Sequence, residues 1–301
     1  MYLFRNVQQH AGAGESIWNT TQPDAYYTPP HILFRMSFRS FVRGDSSVDL
    51  EAVEEALRDD CGIENVELST LDGENWLSVP LVANDEFFVK VLTSQNTLTH
   101  SFFTTMRNLG VRVSGKGPFF ETYDSPIDMA RHEFDAAERM REIGVSTPRP
   151  IDVVETDERA LILFEYLEGF ETLSEVDIDD ETMREVFSLL RRLHDNGLAH
   201  GDFSLENVLV VEDEIYFIDS TSISEDGHDD AVAYDLACAL GAFSSRVSPK
   251  DVVEAASEFF DASDLRHATD FLVVVRLRPG IEDGFSILEI RRAVEQHNAD
   301  A

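Results

Sequence analysis

LHDNGLAHGDFSLENVLVVEDEIYFIDST, residues 193–221, places Asp202, Asn207 and Asp219 in the order that phosphoryl transfer from ATP-Mg²⁺ requires. Asp202 and Asn207 keep the H-x-D-x-x-x-x-N spacing, in which the Asp takes a hydroxyl proton and the Asn holds a metal ion. Asp219 ends the run Ile215-Tyr216-Phe217-Ile218, which is β-branched and aromatic enough to be a strand, and an acid at that strand end can coordinate Mg²⁺. Helical spacing through Met183, Val186, Phe187, Leu189, Leu190 and Leu193 leads into the loop. Val208–Val211 and Ile215–Ile218 then predict a hairpin. An acidic turn before an ordinary hairpin is the alternative; agreement between helix, loop, hairpin and acid favours the site.

Composition narrows the class. The chain carries 58 acidic and 24 basic residues, a net charge of −34, with a hydrophobic fraction of 43% that suits a packed core rather than disorder. Lysine is rare: only Lys90, Lys116 and Lys250, against 21 arginines. A surface this acidic repels itself in dilute buffer, whereas molar salt shortens the Debye length to about 3 Å and screens the repulsion. A halophilic cytoplasm is expected, with an acidic mesophilic protein as the alternative. Cys61 and Cys238 are too few for a disulfide framework and lack metal-ligand spacing, which fits a reducing interior. The N-terminus has no basic region followed by an apolar stretch, and no apolar run reaches spanning length, so a cytoplasmic protein with no membrane association is expected.

Residues 1–35 carry no net charge and no clear periodicity. They read as a flexible tail or a misassigned start with Met36 as the first residue, a functional arm being the alternative.

A metal-bound triphosphate needs an upstream cation, and Glu86-Phe87-Phe88-Val89-Lys90-Val91-Leu92 offers Lys90 on a strand. A strand lysine is ordinarily a solvated edge residue. Its rarity in this chain argues instead that a compact ammonium is needed at that place. The expected partner is a glutamate on the next helix, Asp128–Ile143, whose apolar side is read as Met129, His132, Ala136 and Met140. Glu133, Glu138 and Glu142 all lie on it. Gly144, Pro148 and Pro150 end the helix. Ala160–Gly169 follows as a buried strand running into a Gly-marked bend, where the backbone of about Glu165 and Leu167 could pair with adenine. Leu68–Asn75 has one glycine and no G-x-G-x-x-G, so Ser69 and Thr70 are the phosphate donors it offers; an ordinary turn through Asp72-Gly73 is the alternative.

Over about residues 66–240 these pieces resemble the protein-kinase-like superfamily, and more closely its atypical RIO branch. His200-Gly201-Asp202-Phe203-Ser204 resembles the H-G-D-L-S of RIO kinases, with Gly201 where ordinary protein kinases carry Arg. Ile218-Asp219-Ser220-Thr221 is similar to their I-D-x-S/T in place of D-F-G. Lys90 followed by Thr93-Ser94, an insertion at about 95–125, and Ala130-Arg131-His132-Glu133 before Gly144-Val145-Ser146-Thr147-Pro148 extend the likeness and single out Glu133. Asp235, in Ala233-Tyr234-Asp235-Leu236-Ala237, resembles the acid that braces the catalytic loop in this fold. Two features depart from the pattern: Leu71-Asp72 stands where Gly-Lys is expected, and no A-P-E segment follows Asp219.

The resemblance implies an α+β, two-lobed protein-kinase-like fold. Residues 36–165 would form a small β-rich N-lobe with the insertion, and 166–301 a mainly helical, shortened C-lobe. ATP and Mg²⁺ would lie between them, with Lys90 on the phosphates and paired to Glu133, Asn207 and Asp219 on the metal, and Asp202 orienting the acceptor. His200 would support the loop rather than bind metal. The implied activity is that of a RIO-type serine/threonine kinase or ATPase. The alternatives are a small-molecule phosphotransferase acting on a sugar or an aminoglycoside-like acceptor, and a nucleotide-binding pseudokinase scaffold. A protein or ribosome-assembly partner is implied too; direct nucleic-acid binding stays open, since the chain has no basic stripe. Arg107, Arg112 and Lys116, with Phe102, Phe103, Phe119 and Phe120, are the partner-contact candidates in the insertion, packing on the lobe being the alternative.

The charge generates a first prediction. The melting temperature, followed by circular dichroism, should rise steadily as KCl is raised from dilute buffer to molar concentration; greatest stability near zero salt would contradict the halophilic reading.

Overall fold

A central strand that is apolar on both faces needs cover on both, and the first half of the molecule is built around that demand. The computed structural model describes residues 49–70, 79–94, 123–156, 159–220, 228–276, 278 and 284–300. Asp45–Ala301 form one compact unit. The N-terminal tail, Leu71–Asn75 of the expected phosphate loop and most of the expected insertion, with its Arg, Lys and Phe candidates, lie outside the described residues.

Strands β1 (Leu68–Thr70), β2 (Val79–Ala83), β3 (Phe87–Thr93), β4 (Pro150–Glu155) and β5 (Arg159–Glu165) form one antiparallel sheet in the order β1-β2-β3-β5-β4. Val89 and Val91 of β3, with Leu161 and Leu163 of β5, pack under helix α1 (Leu50–Asp59) through Val53, Ala56 and Leu57. The residues between them take the opposite face, as a period of two requires. Leu92, Ala160, Ile162 and Phe164 pack there against Ile127, Met129, Ala130 and Ala137 of helix α2 (Pro126–Glu142). Lys90 pairs in register with Ile162 and so shares the α2 face.

Helix α2 starts two residues before the expected Asp128. The Ser125 side chain accepts from the Asp128 amide at 3.2 Å, and Pro126 takes the first turn, where its missing N–H costs nothing. The expected apolar side is corrected at two positions. His132 is exposed and lies 5.1 Å, centroid to centroid, from the Tyr123 ring, and Ala136 is half-buried. The covered stripe runs instead through Met129, Ala130, Ala137 and Met140, and it includes Glu133 at the i+4 step between Met129 and Ala137. Gly144, at φ +74°, ends the helix in the left-handed turn that glycine takes without strain.

The second half is helical around a small sheet of β6 (Glu171–Thr172), β7 (Val208–Val211) and β8 (Glu214–Phe217). The β7–β8 hairpin turns through Glu212 and Asp213, both at positive φ, which matches strand twist in a two-residue turn. Helix α3 (Asp180–Asp195), capped by Asp179 on the Thr182 amide at 2.8 Å, buries Met183, Val186, Phe187, Leu190 and Leu193 as its spacing predicts, leaves the expected Leu189 half-buried, and buries His194 in addition. Helix α4 (His228–Ser244) is buried nearly all round. Helices α5 (Pro249–Ser257), α6 (Ala262–Val275) and α7 (Ile287–Asp300) complete the layer. The chain is thus α+β and two-lobed, with a β-rich first lobe and a helical second one. Met140 and Val145 reach from the end of α2 into the second core, and the Phe217 amide bonds the Ser146 carbonyl at 2.9 Å, so the lobes are tied at one edge.

Phe187 lies at the middle of the helical core, 5.4 Å from Phe243 and 6.4 Å from Phe260 between ring centroids. Phe187→Ala should lower the unfolding free energy by about 3–5 kcal/mol in urea titrations; a loss below about 1 kcal/mol would mean that the core re-closes around the cavity.

Candidate functional site

Lys90 is 3% exposed on the central strand, and an ammonium there must be paired or it would give up its charge. Its Nζ donates to Glu133 Oε1 and Oε2 at 2.8 and 2.9 Å and to Asp219 Oδ1 at 2.7 Å. Burial alone would lower its pKa; the Asp219 and Glu133 carboxylates outweigh that and raise it well above the ordinary lysine value. One ammonium therefore joins β3, α2 and the residues after β8. Glu138 and Glu142 are exposed on α2, so among the three candidate glutamates only Glu133 meets Lys90.

The loop between α3 and β7 is held by its backbone. Asp235 of α4 is fully buried and accepts from the His200 and Gly201 amides at 2.5 and 2.8 Å and from His194 Nε2 at 3.3 Å. Gly201 has φ +77°, which a side-chain-bearing residue would take only with strain. The His200 ring is buried edge-on to Phe203 and Phe217, with centroids 5.9 and 5.5 Å away, and burial lowers its pKa, so the imidazole is neutral at pH 7. Its Nδ1 accepts from the Asp202 amide at 3.3 Å. Asn207 closes the loop by donating through Nδ2 to the Asp202 carbonyl at 2.8 Å, and its own carbonyl accepts from the Ile218 amide at 3.1 Å, which brings it beside Asp219. Asp219 itself has φ +57°, a conformation an Asp tolerates better than most residues, and its side chain is 29% exposed.

Asp202 has a partner that spacing does not reveal. Arg278, just beyond α6, donates through Nη2 to Asp202 Oδ1 at 2.5 Å and through Nη1 to the Phe203 carbonyl at 2.9 Å. It also lies 3.0 Å from Cys238 Sγ, a thiol whose pKa burial pushes up to about 11, so it stays protonated. His194 and Cys238 are further members of this buried shell that the sequence leaves unmarked.

The remaining candidates lie further out. Ser69 and Thr70 are exposed at the end of edge strand β1, opposite Val82 and Leu81. Glu165 ends β5; its amide bonds the Arg149 carbonyl at 2.9 Å, and its side chain accepts from the Arg149 amide at 2.7 Å. Leu167 follows, half-buried, before Gly169 at φ +73° turns the chain into β6. None of these four shares a hydrogen bond with the Lys90–Glu133–Asp219 cluster among the described residues.

As to metal, no group of three or more His, Cys, Asp or Glu side chains able to hold an ion occurs among the described residues. What they offer is an amide and a carboxylate, Asn207 and Asp219. Two oxygen-bearing side chains, with phosphates and water completing the shell, suit Mg²⁺ better than a cation that needs a protein cage.

Residues 121–254 match the RIO domain family model. The KEOPS complex subunit Bud32 of Pyrococcus abyssi is 33% identical over 86 residues, 27% of this chain and 38% of that protein. The RIO-type serine/threonine-protein kinase Rio1 of Haloferax volcanii is 36% identical over 95 residues, 30% of this chain and 31% of that protein. The matches thus span about a third of each relative's length. A solved GDP complex of aminoglycoside 2'-phosphotransferase-IIIa superposes with a TM-score of 0.47 at 11% identity, covering 84% of this chain and 99% of that one. Glu133, the Asp202 loop, Asp219 and Asp235 all lie inside the residues that match the RIO domain model.

Proposed function

We propose that the chain transfers a phosphoryl group from ATP with Mg²⁺, as a RIO-type serine/threonine kinase or as an ATPase. The observation that carries this is the convergence of Lys90 from the first lobe with Asp219 from the second at 2.7 Å, beside the loop that bears Asp202 and Asn207. Lys90 is held at the α2 face by Glu133, so it can turn from Asp219 to the α- and β-phosphates without losing its charge partner. Asp219 then has a carboxylate free for the metal, and the Asn207 amide, oriented by its bond to the Asp202 carbonyl, presents Oδ1 as the second ligand. Bound there, Mg²⁺ would neutralise charge developing on the transferred group. Asp202 takes the proton of the attacking hydroxyl or water. Ser69 and Thr70 would cover the phosphates, and the backbone of Glu165 and Leu167 would receive the base.

A serine or threonine of a protein partner, or of the chain itself, is the acceptor proposed first. Bud32 is named as a subunit of a complex, which supports a protein partner here; a ribosome-assembly factor is the partner proposed. None of the helices described is long and apolar enough to cross a membrane, and the proposed location is the cytoplasm.

Radiolabelled ATP at molar KCl separates the outcomes: label on protein, label on a small acceptor, free phosphate alone, or binding without turnover. Asp202→Asn should cut turnover on the order of 10²–10⁴-fold while nucleotide binding persists. Asp219→Ala should remove the metal-dependent part of binding in calorimetry, and Lys90→Met should slow turnover. Wild-type rates in all three variants would exclude the assigned roles.

A further inference from the structure

We infer that Arg278 is the positioning residue for Asp202: its guanidinium holds the carboxylate at Oδ1. The inference rests on the reading of Asp202 as the acid that takes the acceptor's proton. Arg278 lies outside the matched RIO residues, 121–254, and 76 positions from its carboxylate partner.

Lys90 and Arg278 are the buried lysine and arginine side chains among the described residues, and both end in this cleft. Burying a guanidinium is costly unless its donors are used. Here they are used on the Asp202 loop and on Cys238 of α4. Nη2 reaches Asp202 Oδ1, Nη1 reaches the carbonyl of the next residue, Phe203, and the same Nη1 lies 3.0 Å from Cys238 Sγ. The guanidinium carbon stands 6.0 Å from the centre of the Tyr234 ring, whose own α4 supplies Asp235 to the same loop. A planar fork held at both nitrogens has its own orientation fixed, so it anchors the carboxylate oxygen it grips more firmly than a lysine point charge does. The loop supplies no cation of its own at position 201, where φ is +77° and glycine stands. The Arg278 side chain is 6% exposed and that of Asp202 17%, so the cation is shut away while the carboxylate keeps an open side. That asymmetry is what a positioning residue needs.

The test combines kinetics and stability of the full chain at molar KCl. Arg278→Ala should lower kcat by about 10–100-fold, as misplacement of a reacting group does, with KM for ATP changed by less than about twofold because no interaction with ATP is lost. Arg278→Lys should recover only part of kcat. Added ethylguanidinium should restore activity to Arg278→Ala and leave Asp202→Asn unaffected, a response that loss of packing alone does not produce. Unchanged kcat in a folded Arg278→Ala, or a rise in kcat, which would make the ion pair an inhibitory lock, overturns the inference. A double-mutant cycle of Arg278→Gln and Asp202→Asn in urea gives a reading independent of turnover: the two effects should be clearly non-additive, and additivity overturns the pairing. If the wild-type chain turns over no ATP, the proposed function fails, and the cycle still decides whether Arg278 holds Asp202.

Discussion

An ammonium sealed inside a β-sheet face is the constraint on which this molecule turns. Lys90 stands in β3 where its neighbours on the same face, Leu92 and Ile162, are fully buried, and moving a charge there from water costs several kcal/mol before compensation. Compensation must come from acids that reach the same point, and the fold supplies one from each lobe, Glu133 and Asp219. Each acid is in turn fixed by its element: Glu133 by the helix that covers the sheet, Asp219 by the strand end that follows the β7–β8 hairpin. The lobes are therefore linked electrostatically at the place where the proposed chemistry needs a mobile partner.

How far the sequence discloses this depends on whether a residue's role is written in its neighbours. The stripe Met183-Val186-Phe187-Leu190-Leu193 and the β7–β8 hairpin are local patterns, and the structure has both, with β8 at Glu214–Phe217, one residue before the expected Ile215–Ile218. Lys90 is legible through its rarity, and its register opposite Ile162 explains why it is not a solvated edge residue. Hydrophobicity alone misplaces the covered side of α2 at His132 and Ala136. A carboxylate at the i+4 step from Met129 is the better guide, since an acid on a covered stripe needs a cation. Arg278 is not legible: its partners Asp202 and Cys238 are 76 and 40 residues away, and no periodicity relates them.

The geometry of the Asp202 loop follows the same logic of distant support. Gly201 turns the chain through a conformation closed to most residues, and two amides exposed by that turn, at His200 and Gly201, are taken up by Asp235. Leaving two buried amides unpaired would cost about 1–3 kcal/mol each. His200 adds a neutral ring between Phe203 and Phe217, where a charged one would have to be desolvated. The loop is thus a tight turn stabilised by α4, and α4 can do this because it is buried nearly all round and cannot move independently.

Charge then sets the conditions under which the proposed site can accept a nucleotide. Around it stand the carboxylates of Asp202, Glu133, Asp219 and Asp235 and the cations of Lys90 and Arg278, so acid exceeds base even inside a chain already at −34. Arg278 is committed to Asp202 and Asp235 to backbone amides, which leaves Lys90 as the described cation able to turn toward a phosphate. On the proposed reading, a bare triphosphate would meet net repulsion, whereas one carrying a divalent ion relieves the excess at Asp219 as it arrives. On the same reading, Lys90 would leave Asp219 and engage a phosphate in one exchange, since Asp219 would hold the ion in place of the ammonium while Glu133 keeps Lys90 paired.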